Sequence, residues 1–223
     1  MEESPKKKPI VLAITGASGA VYAARLLEAL MCSEQETHLT VSESGIAVIR
    51  QELDITLDPR GKNLPEFLDA CDRLLDVEIT AQVNAFQAME RASKGLLQVH
   101  HYKDYFTPIA SGSFLTAGMV VCPCSGSTLS GIANAASNNL IQRAADVHLK
   151  EHRKLVVVPR ETPLSAFQLE NMHRLAVAGA VVLPAAPGWY HGATKMLDLV
   201  DFVVGRILDQ FEIENQLIQR WTE

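Results

Sequence analysis

The sequence predicts one α/β domain built on a doubly wound parallel sheet, and three observations carry that reading. The first is a continuous apolar run, Pro9 to Thr15, bounded by Gly16. Such a run fits a strand buried on both faces, as a parallel sheet requires. The second is the opening order of strand, helix, strand, helix. The third is where the small, hydroxyl-bearing and charged residues gather: at Thr15 to Gly19, Ser42, Pro123 to Thr128, Pro159 to Glu161 and Pro184 to His191, each after an apolar run. Ligands of open α/β sheets sit beyond the carboxyl ends of the strands.

The elements follow in order. From Gly19 to Met31, Val21, Leu26, Leu27 and Leu30 recur at helical spacing. His38 to Val41 is a short second strand, and Ser42 is placed to cap a helix from Glu43 to Glu52. Leu53 to Pro108 is weakly patterned: Asp58-Pro59-Arg60-Gly61 is a turn, Leu64 to Leu75 fits a helix, and Leu96 to His100 fits a strand. Strand character returns at Met119 to Cys122, with Ser125 or Ser127 capping the next helix. Ile141 to His152 reads as a helix, Leu155 to Val158 as a strand ended by Pro159, and Ser165 to Ala178 as a helix opened by Ser165. Ala180 to Leu183 is a strand ended by Pro184, and Leu197 to Phe211 a long amphipathic helix. Residues 1–8 form a polar tail, 9–211 the domain, and 212–223 a second polar tail that holds Trp221.

Composition excludes several classes. With 48% hydrophobic residues over 223 positions, the chain can bury a core without disulfides or metal. A net charge of -6 argues against a nucleic-acid surface, and the basic cluster Lys6-Lys7-Lys8 sits in a solvated end. No apolar stretch is long enough to span a bilayer, and Met1 to Pro9 lack the apolar core of a signal peptide. A cytoplasmic protein is expected, with Cys32, Cys71, Cys122 and Cys124 as free thiols. Cys122 and Cys124 flank Pro123 with no nearby His or Cys pair, so no metal site is expected.

The motifs sit at the strand ends. Thr15-Gly16-Ala17-Ser18-Gly19-Ala20 lets a backbone approach a ligand and offers helix-start N–H groups to an anion. A tight turn without a ligand is the alternative. Its glycine spacing is not the dinucleotide fingerprint, which would need glycine at Ile14. Ser125-Gly126-Ser127-Thr128 offers hydroxyls at a second helix start, for a phosphate or flavin or for simple capping. Arg143, Asp146 and Lys150 are spaced to share a helix face, which also fits a surface ion-pair ladder. In Pro159-Arg160-Glu161-Thr162-Pro163, two prolines stiffen a cation and a carboxylate at a strand end. That arrangement suits anion binding and proton transfer, or a structural ion pair. Gly188-Trp189-Tyr190-His191 places aromatic rings on a loop where ligands bind.

Taken together these stretches resemble the UbiX-type flavin prenyltransferases. The resemblance is carried by T-G-A-S-G-A at 15–20, S-G-S at 111–113, C-P-C-S at 122–125, N-N-L-I-Q-R-A-A-D-V at 138–147 and V-P-R-E-T-P-L-S at 158–165. L-E-N-M at 169–172, G-A-V-V-L-P at 179–184, Y-H at 190–191, L-V-D-F-V-V-G-R-I-L at 199–208 and R-W at 220–221 complete it. The resemblance implies a flavodoxin-like (Rossmann-like) sheet in a homo-oligomer based on trimers, up to a dodecamer, with sites where subunits meet. It implies FMN as cofactor and prenyl acceptor, joined at N5 and then C6 to the dimethylallyl group of dimethylallyl monophosphate without metal. The product would serve a UbiD-type decarboxylase.

Residue by residue, the resemblance assigns FMN contacts to Gly16, Ala17, Ser18, Ser42, Ser125, Gly126, Ser127, Thr128 and Arg160. Ser111, Arg143, Lys150, Arg160, Tyr190 and Arg206 would meet the prenyl phosphate. Ser18, Glu52 and Glu161 would act beside the reacting atoms, with Trp221 closing over them. Cations at Arg143, Lys150, Arg160 and Arg206 suit a departing phosphate, and the rings of Tyr105 and Trp221 an allylic cation. The chain departs from the family at Glu43, where lysine is frequent, at Tyr105, where tryptophan is, and at Trp189, where phenylalanine is. Two other readings compete: an FMN-dependent cysteine decarboxylase, whose P-x-M-N motif is missing, and a non-catalytic flavin carrier, which needs no Arg143, Lys150, Arg160 and Glu161 set.

Overall fold

The computed structural model describes residues 7–190 and 192–220. Its strands are β1 (Ile10–Ile14), β2 (Thr37–Val41), β3 (Leu97–His101), β4 (Gly118–Cys124), β5 (Lys154–Pro159) and β6 (Val181–Val182). They pair in parallel in the order β3-β2-β1-β4-β5-β6. The helices are α1 (Ala20–Cys32), α2 (Glu43–Leu53), α3 (Leu64–Leu75), α4 (Ala85–Arg91), α5 (Gly126–Ala133), α6 (Leu140–Lys150), α7 (Ala166–Val177) and α8 (Met196–Gln210).

The apolar run at the start becomes β1, buried along its whole length because both its faces are covered. Ile10, Leu12 and Ile14 pack into the layer formed with α1, α3 and α8. Val11 and Ala13 point the other way, into the layer formed with α5 and α6. Parallel pairing demands crossovers, and helices on both faces make the sheet doubly wound, as expected. The chain begins in the middle, runs outward to β3, then restarts at β4 on the other side. That reversal opens a crevice between the carboxyl ends of β1 and β4.

Element boundaries differ from the sequence reading in places that have physical causes. Helix α4 has no counterpart in that reading. It spans seven residues, too few for a period to show, and while Ala85, Ala88 and Met89 pack on the first layer it leaves Phe86 74% exposed. Asn84 caps it by accepting from the Gln87 N–H at 2.9 Å. Strand β3 starts one residue late, after a wide helical turn over Ala92–Leu96 in which Gly95 takes a positive φ of 84°. Strand β6 is two residues long rather than four, because it is the half-buried edge of the sheet. Helix α7 begins after Ser165, which caps it in a reciprocal pair with Gln168.

A buried ionic cluster ties the first layer together. Arg25 of α1 donates to both carboxylate oxygens of Asp201 on α8, at 2.7 and 3.1 Å, and to Glu28 at 3.1 Å. It also donates to the Val83 carbonyl at 2.7 Å, and Asp72 of α3 accepts from the Ala85 N–H at 2.7 Å. Burial, and then the nearby Asp72, push the Glu28 carboxyl up to about 8. Residues after α8 fold back along it: Ile213 and Leu217 pack on the first layer, and Arg220 pairs with Asp209 at 3.0 Å. Among the described residues no helix is long and apolar enough to cross a membrane.

Candidate active site

The loops at the carboxyl ends of β1, β2, β4 and β5 form the floor of the crevice. Gly16 follows β1, and a Cβ placed on it would lie 2.6 Å from both Cβ and Oγ of Ser44. The first loop therefore touches the start of α2, which only glycine permits. Ser42 caps α2 by accepting from the Gly45 N–H at 3.0 Å, and its Oγ lies 3.1 Å from that of Ser44. Across the crevice Ser125 caps α5 by accepting from the Thr128 N–H at 3.3 Å. Its Oγ lies 3.2 Å from that of Ser127 and donates to that of Thr128 at 3.0 Å. Ser18 and Ser127 are exposed, while Ala17 and Thr128 are buried beneath them. The structure thus brings Gly16, Ala17, Ser18, Ser42, Ser125, Gly126, Ser127 and Thr128 to one rim.

Two charged residues anchor this rim in ways that the sequence does not suggest. Both Glu52 oxygens accept from the Gly19 N–H at 3.0 Å, and one accepts from the Ala20 N–H at 2.7 Å. Gly19 holds a positive φ of 115° as the residue before α1, and has no side-chain cap of its own. The N–H groups expected to await an outside anion there are therefore already engaged by a carboxylate from α2. Arg160, after β5, donates from Nε to the Ser18 carbonyl at 2.9 Å. The structural alternative of an Arg160–Glu161 pair is not what forms: Glu161 is exposed and accepts from its neighbour Thr162 N–H at 3.3 Å.

The residues assigned to the donor phosphate do not converge inside one protomer. Lys150 ends α6 just before β5 begins, and β5 then runs its full length to reach Arg160, roughly 17 Å away. Lys150 pairs with Glu151 at 2.6 Å rather than with Asp146, which corrects the three-residue ladder; Arg143 alone pairs with Asp146, at 3.3 Å. Glu151 abuts Gly112, and Arg153 holds the same loop by donating to the carbonyls of Gly112 and of Phe114, the latter at 2.6 Å. Arg143 donates to the Ala110 carbonyl at 3.1 Å, next to exposed Ser111, whose Oγ lies 2.8 Å from that of Ser113. Ser111, Arg143 and Lys150 thus form one group along α6. Tyr190 and Arg206 form another: the Tyr190 ring meets Phe202 edge-on at 5.7 Å, and Arg206 lies one turn further along α8, paired with Asp209 at 3.0 Å. His191 and Trp221 lie outside the described residues.

Several contributors have no clear signal in the sequence. Thr15 and Ser44 hold the loops in register. Gln168 of α7 comes within 2.9 Å of where a Cβ on Gly126 would stand. Glu43, in the place of a frequent lysine, pairs with Lys103 at 2.8 Å, so a cation reaches the same edge from the end of β3. Tyr105 is exposed and donates to the Ser137 carbonyl at 3.2 Å. All four cysteines are free thiols. Burial pushes the Cys124 thiol up to about 12 and that of Cys122 higher still, so neither is a thiolate nucleophile at neutral pH. An open hollow of about 1610 Å³ lies elsewhere, between α1, α8 and the segment after α8. It is an open groove whose buried charges, Arg25 and Asp201, already satisfy each other, so the crevice at the strand ends remains the place for chemistry.

A rim of hydroxyls, with glycine where backbones touch and one anchored guanidinium, fits a flat ring system with a phosphate tail. FMN has that shape. The comparisons agree. The family described as Flavoprotein matches residues 1–208. The chain is 45% identical over 210 residues to the flavin prenyltransferase UbiX of Halalkalibacterium halodurans, covering 94% of this chain and 91% of that one. The crystal structure of AnUbiX in complex with FMN and dimethylallyl pyrophosphate is similar with a TM-score of 0.78 and 36% identity, over 98% of this chain and 99% of the other. A dodecameric FMN-dependent UbiX-like decarboxylase from Escherichia coli gives 0.75 and 35%, over 96% and 100%. This chain therefore belongs to the Flavoprotein family, among its UbiX-type flavin prenyltransferases.

Proposed function

We propose that this chain transfers a dimethylallyl group to FMN. The observation that carries the reading is the continuous rim from Gly16 through Ser42 and Ser125 to Arg160, closed by the Arg160–Ser18 hydrogen bond. Reduced FMN would supply the nucleophilic N5 and C6: the ester C–O bond of dimethylallyl monophosphate breaks and phosphate departs as N5 bonds the allylic carbon and loses its proton; the prenyl double bond then takes up a proton while its tertiary carbon bonds C6, and C6 gives up its own proton. The chain's own residues do the rest. Ser42, Ser125, Ser127 and Thr128 orient the flavin through hydroxyls fixed by helix caps. Arg160 brings positive charge that its tie to Ser18 holds in place, which stabilises a departing phosphate without reorganisation. Exposed Glu161, which does not pair with Arg160, is the carboxylate we assign to proton transfer.

Lys150 stands at the opposite end of β5 from Arg160 of its own chain, and this supports a site completed by a second copy. A homo-oligomer based on trimers, up to a dodecamer, satisfies that need. A UbiD-type decarboxylase is the proposed recipient of the prenylated flavin, and the cytoplasm the proposed location.

The test is anaerobic incubation with reduced FMN and dimethylallyl monophosphate in EDTA, followed by mass spectrometry of the released flavin. One added dimethylallyl group is expected. Unmodified flavin with the monophosphate and with the diphosphate would overturn the activity, and a strict Mg²⁺ requirement would overturn the cation-only phosphate site.

A further inference from the structure

We infer that Thr15 is the positioning residue that sets the width of the flavin crevice. This rests on the reading of the crevice as an FMN site. Thr15 is the first residue past β1 and is 1% exposed. Its hydroxyl donates to the Pro123 carbonyl at 2.7 Å and accepts from the Ser125 N–H at 2.8 Å. Its own N–H also points at the Pro123 carbonyl, at 3.3 Å.

The regular pairing of β1 with β4 ends at Ala13 and Val121. Beyond that point the backbone link between the two strand ends is the long Thr15 N–H bond to the Pro123 carbonyl, at 3.3 Å, and the two loops of the rim leave from there. Pro123 has no N–H to offer, and the Ser125 N–H lies past the last ladder bond. A single hydroxyl, one donor and one acceptor, satisfies both strands at once. It places Ser125, and with it the cap that fixes Ser127 and Thr128, at a set distance from Gly16 and Ser18. Nothing in this arrangement requires Thr15 to touch the flavin. Its effect reaches the ligand through the spacing of the residues that do.

Threonine suits the position because its β-branched side chain has few rotamers, so the hydroxyl is held in the direction of both partners. Valine has the same shape and no hydroxyl. Serine has the hydroxyl and no methyl group. The pair separates hydrogen bonding from packing.

The experiment measures FMN dissociation constants and visible flavin spectra for wild type, Thr15→Val and Thr15→Ser, at a temperature where each is folded by circular dichroism. Thr15→Val is expected to weaken FMN about tenfold or more and to alter the bound-flavin spectrum. Thr15→Ser is expected to stay close to wild type in both. A Thr15→Val protein that melts earlier yet binds FMN with wild-type affinity and spectrum would reduce Thr15 to a packing residue and overturn the inference; so would equal impairment of both variants. Should Thr15→Val fail to fold, amide exchange at Ser125 in flavin-free wild type decides: protection is expected, and exchange at the rate of an open loop overturns the proposal. If wild type itself binds no FMN, the flavin reading fails instead, and the two failures are distinct.

Discussion

Arg160 and Ser18 are joined across the crevice: the Arg160 Nε–H donates to the Ser18 carbonyl at 2.9 Å, linking the end of β5 to the loop after β1. The guanidinium is thus aimed by a backbone oxygen and not by the carboxylate beside it in sequence. That leaves Glu161 available for proton transfer. Glu161→Gln keeps the shape and removes the base. It is expected to bind FMN and donor normally and to form product about 10²–10⁴-fold more slowly. Single-turnover rates at saturating donor check this; an unchanged rate removes Glu161 from the chemistry.

Gly16 and Ser44 leave no room for a side chain between them. Gly16→Ala is expected to push α2 and Ser42 outward and to weaken FMN binding. Because the hypothetical methyl meets Cβ as well as Oγ of Ser44, Ser44→Ala brings no relief, whereas Ser44→Gly in the same chain is expected to recover part of the affinity. Titration of the three variants with FMN tests the contact.

Lys150 and Arg160 stand at opposite ends of β5. If each site draws them from different chains, two inactive proteins, Lys150→Ala and Arg160→Ala, are expected to complement. Co-refolded in equal amounts they should recover about a quarter of wild-type activity, the fraction of sites that receive both intact groups by random mixing. Mixtures that stay inactive would place the whole site in one chain.

Glu28 makes folding depend on pH. Its folded carboxyl holds a proton to about 8 against an ordinary value of 4.5, so between these limits the folded chain binds more protons than the unfolded one. This group's contribution is complete below pH 4.5 and is lost as pH rises towards 8. Glu28→Gln mimics the protonated form. It is expected to be more stable than wild type at pH 8 and to show a flatter profile, as read from urea denaturation at stepped pH.

Glu52 replaces a side-chain cap on α1, since Gly19 has none. Glu52→Ala leaves the N–H groups of Gly19 and Ala20 without their carboxylate and is expected to cost about 1 kcal/mol in chemical denaturation, the typical worth of a lost cap. Equal stability of the two proteins would show that water serves as well.

Much of this was legible from residue order. The run Ile10–Ile14 announces a central strand because both its faces are apolar, and Ser42, Ser125 and Ser165 cap the helices that follow them, because a hydroxyl before an apolar-periodic stretch has one efficient use. The gathering of Gly16, Ser18, Ser42 and Ser125 to Thr128 at the strand ends was legible too, because each follows an apolar run that ends there. What was not legible depends on partners distant in sequence. Glu52 meets Gly19 across 33 positions, Arg160 meets Ser18 across 142, and Thr15 meets Ser125 across 110. No local pattern encodes such pairs. Helix α4 escaped because it is short and its inner face is only Ala85, Ala88 and Met89, too few apolar residues to set a helical period.

The capped start of α1 bears on turnover. In many nucleotide-binding folds the phosphate itself completes the helix end, and the loop gains its order from the ligand. Here the chain's own carboxylate does so, engaging the N–H groups of Gly19 and Ala20. A flavin that is the acceptor of the transferred group must leave after each round. A cradle whose shape is supplied from within can release one flavin and receive the next without refolding in between.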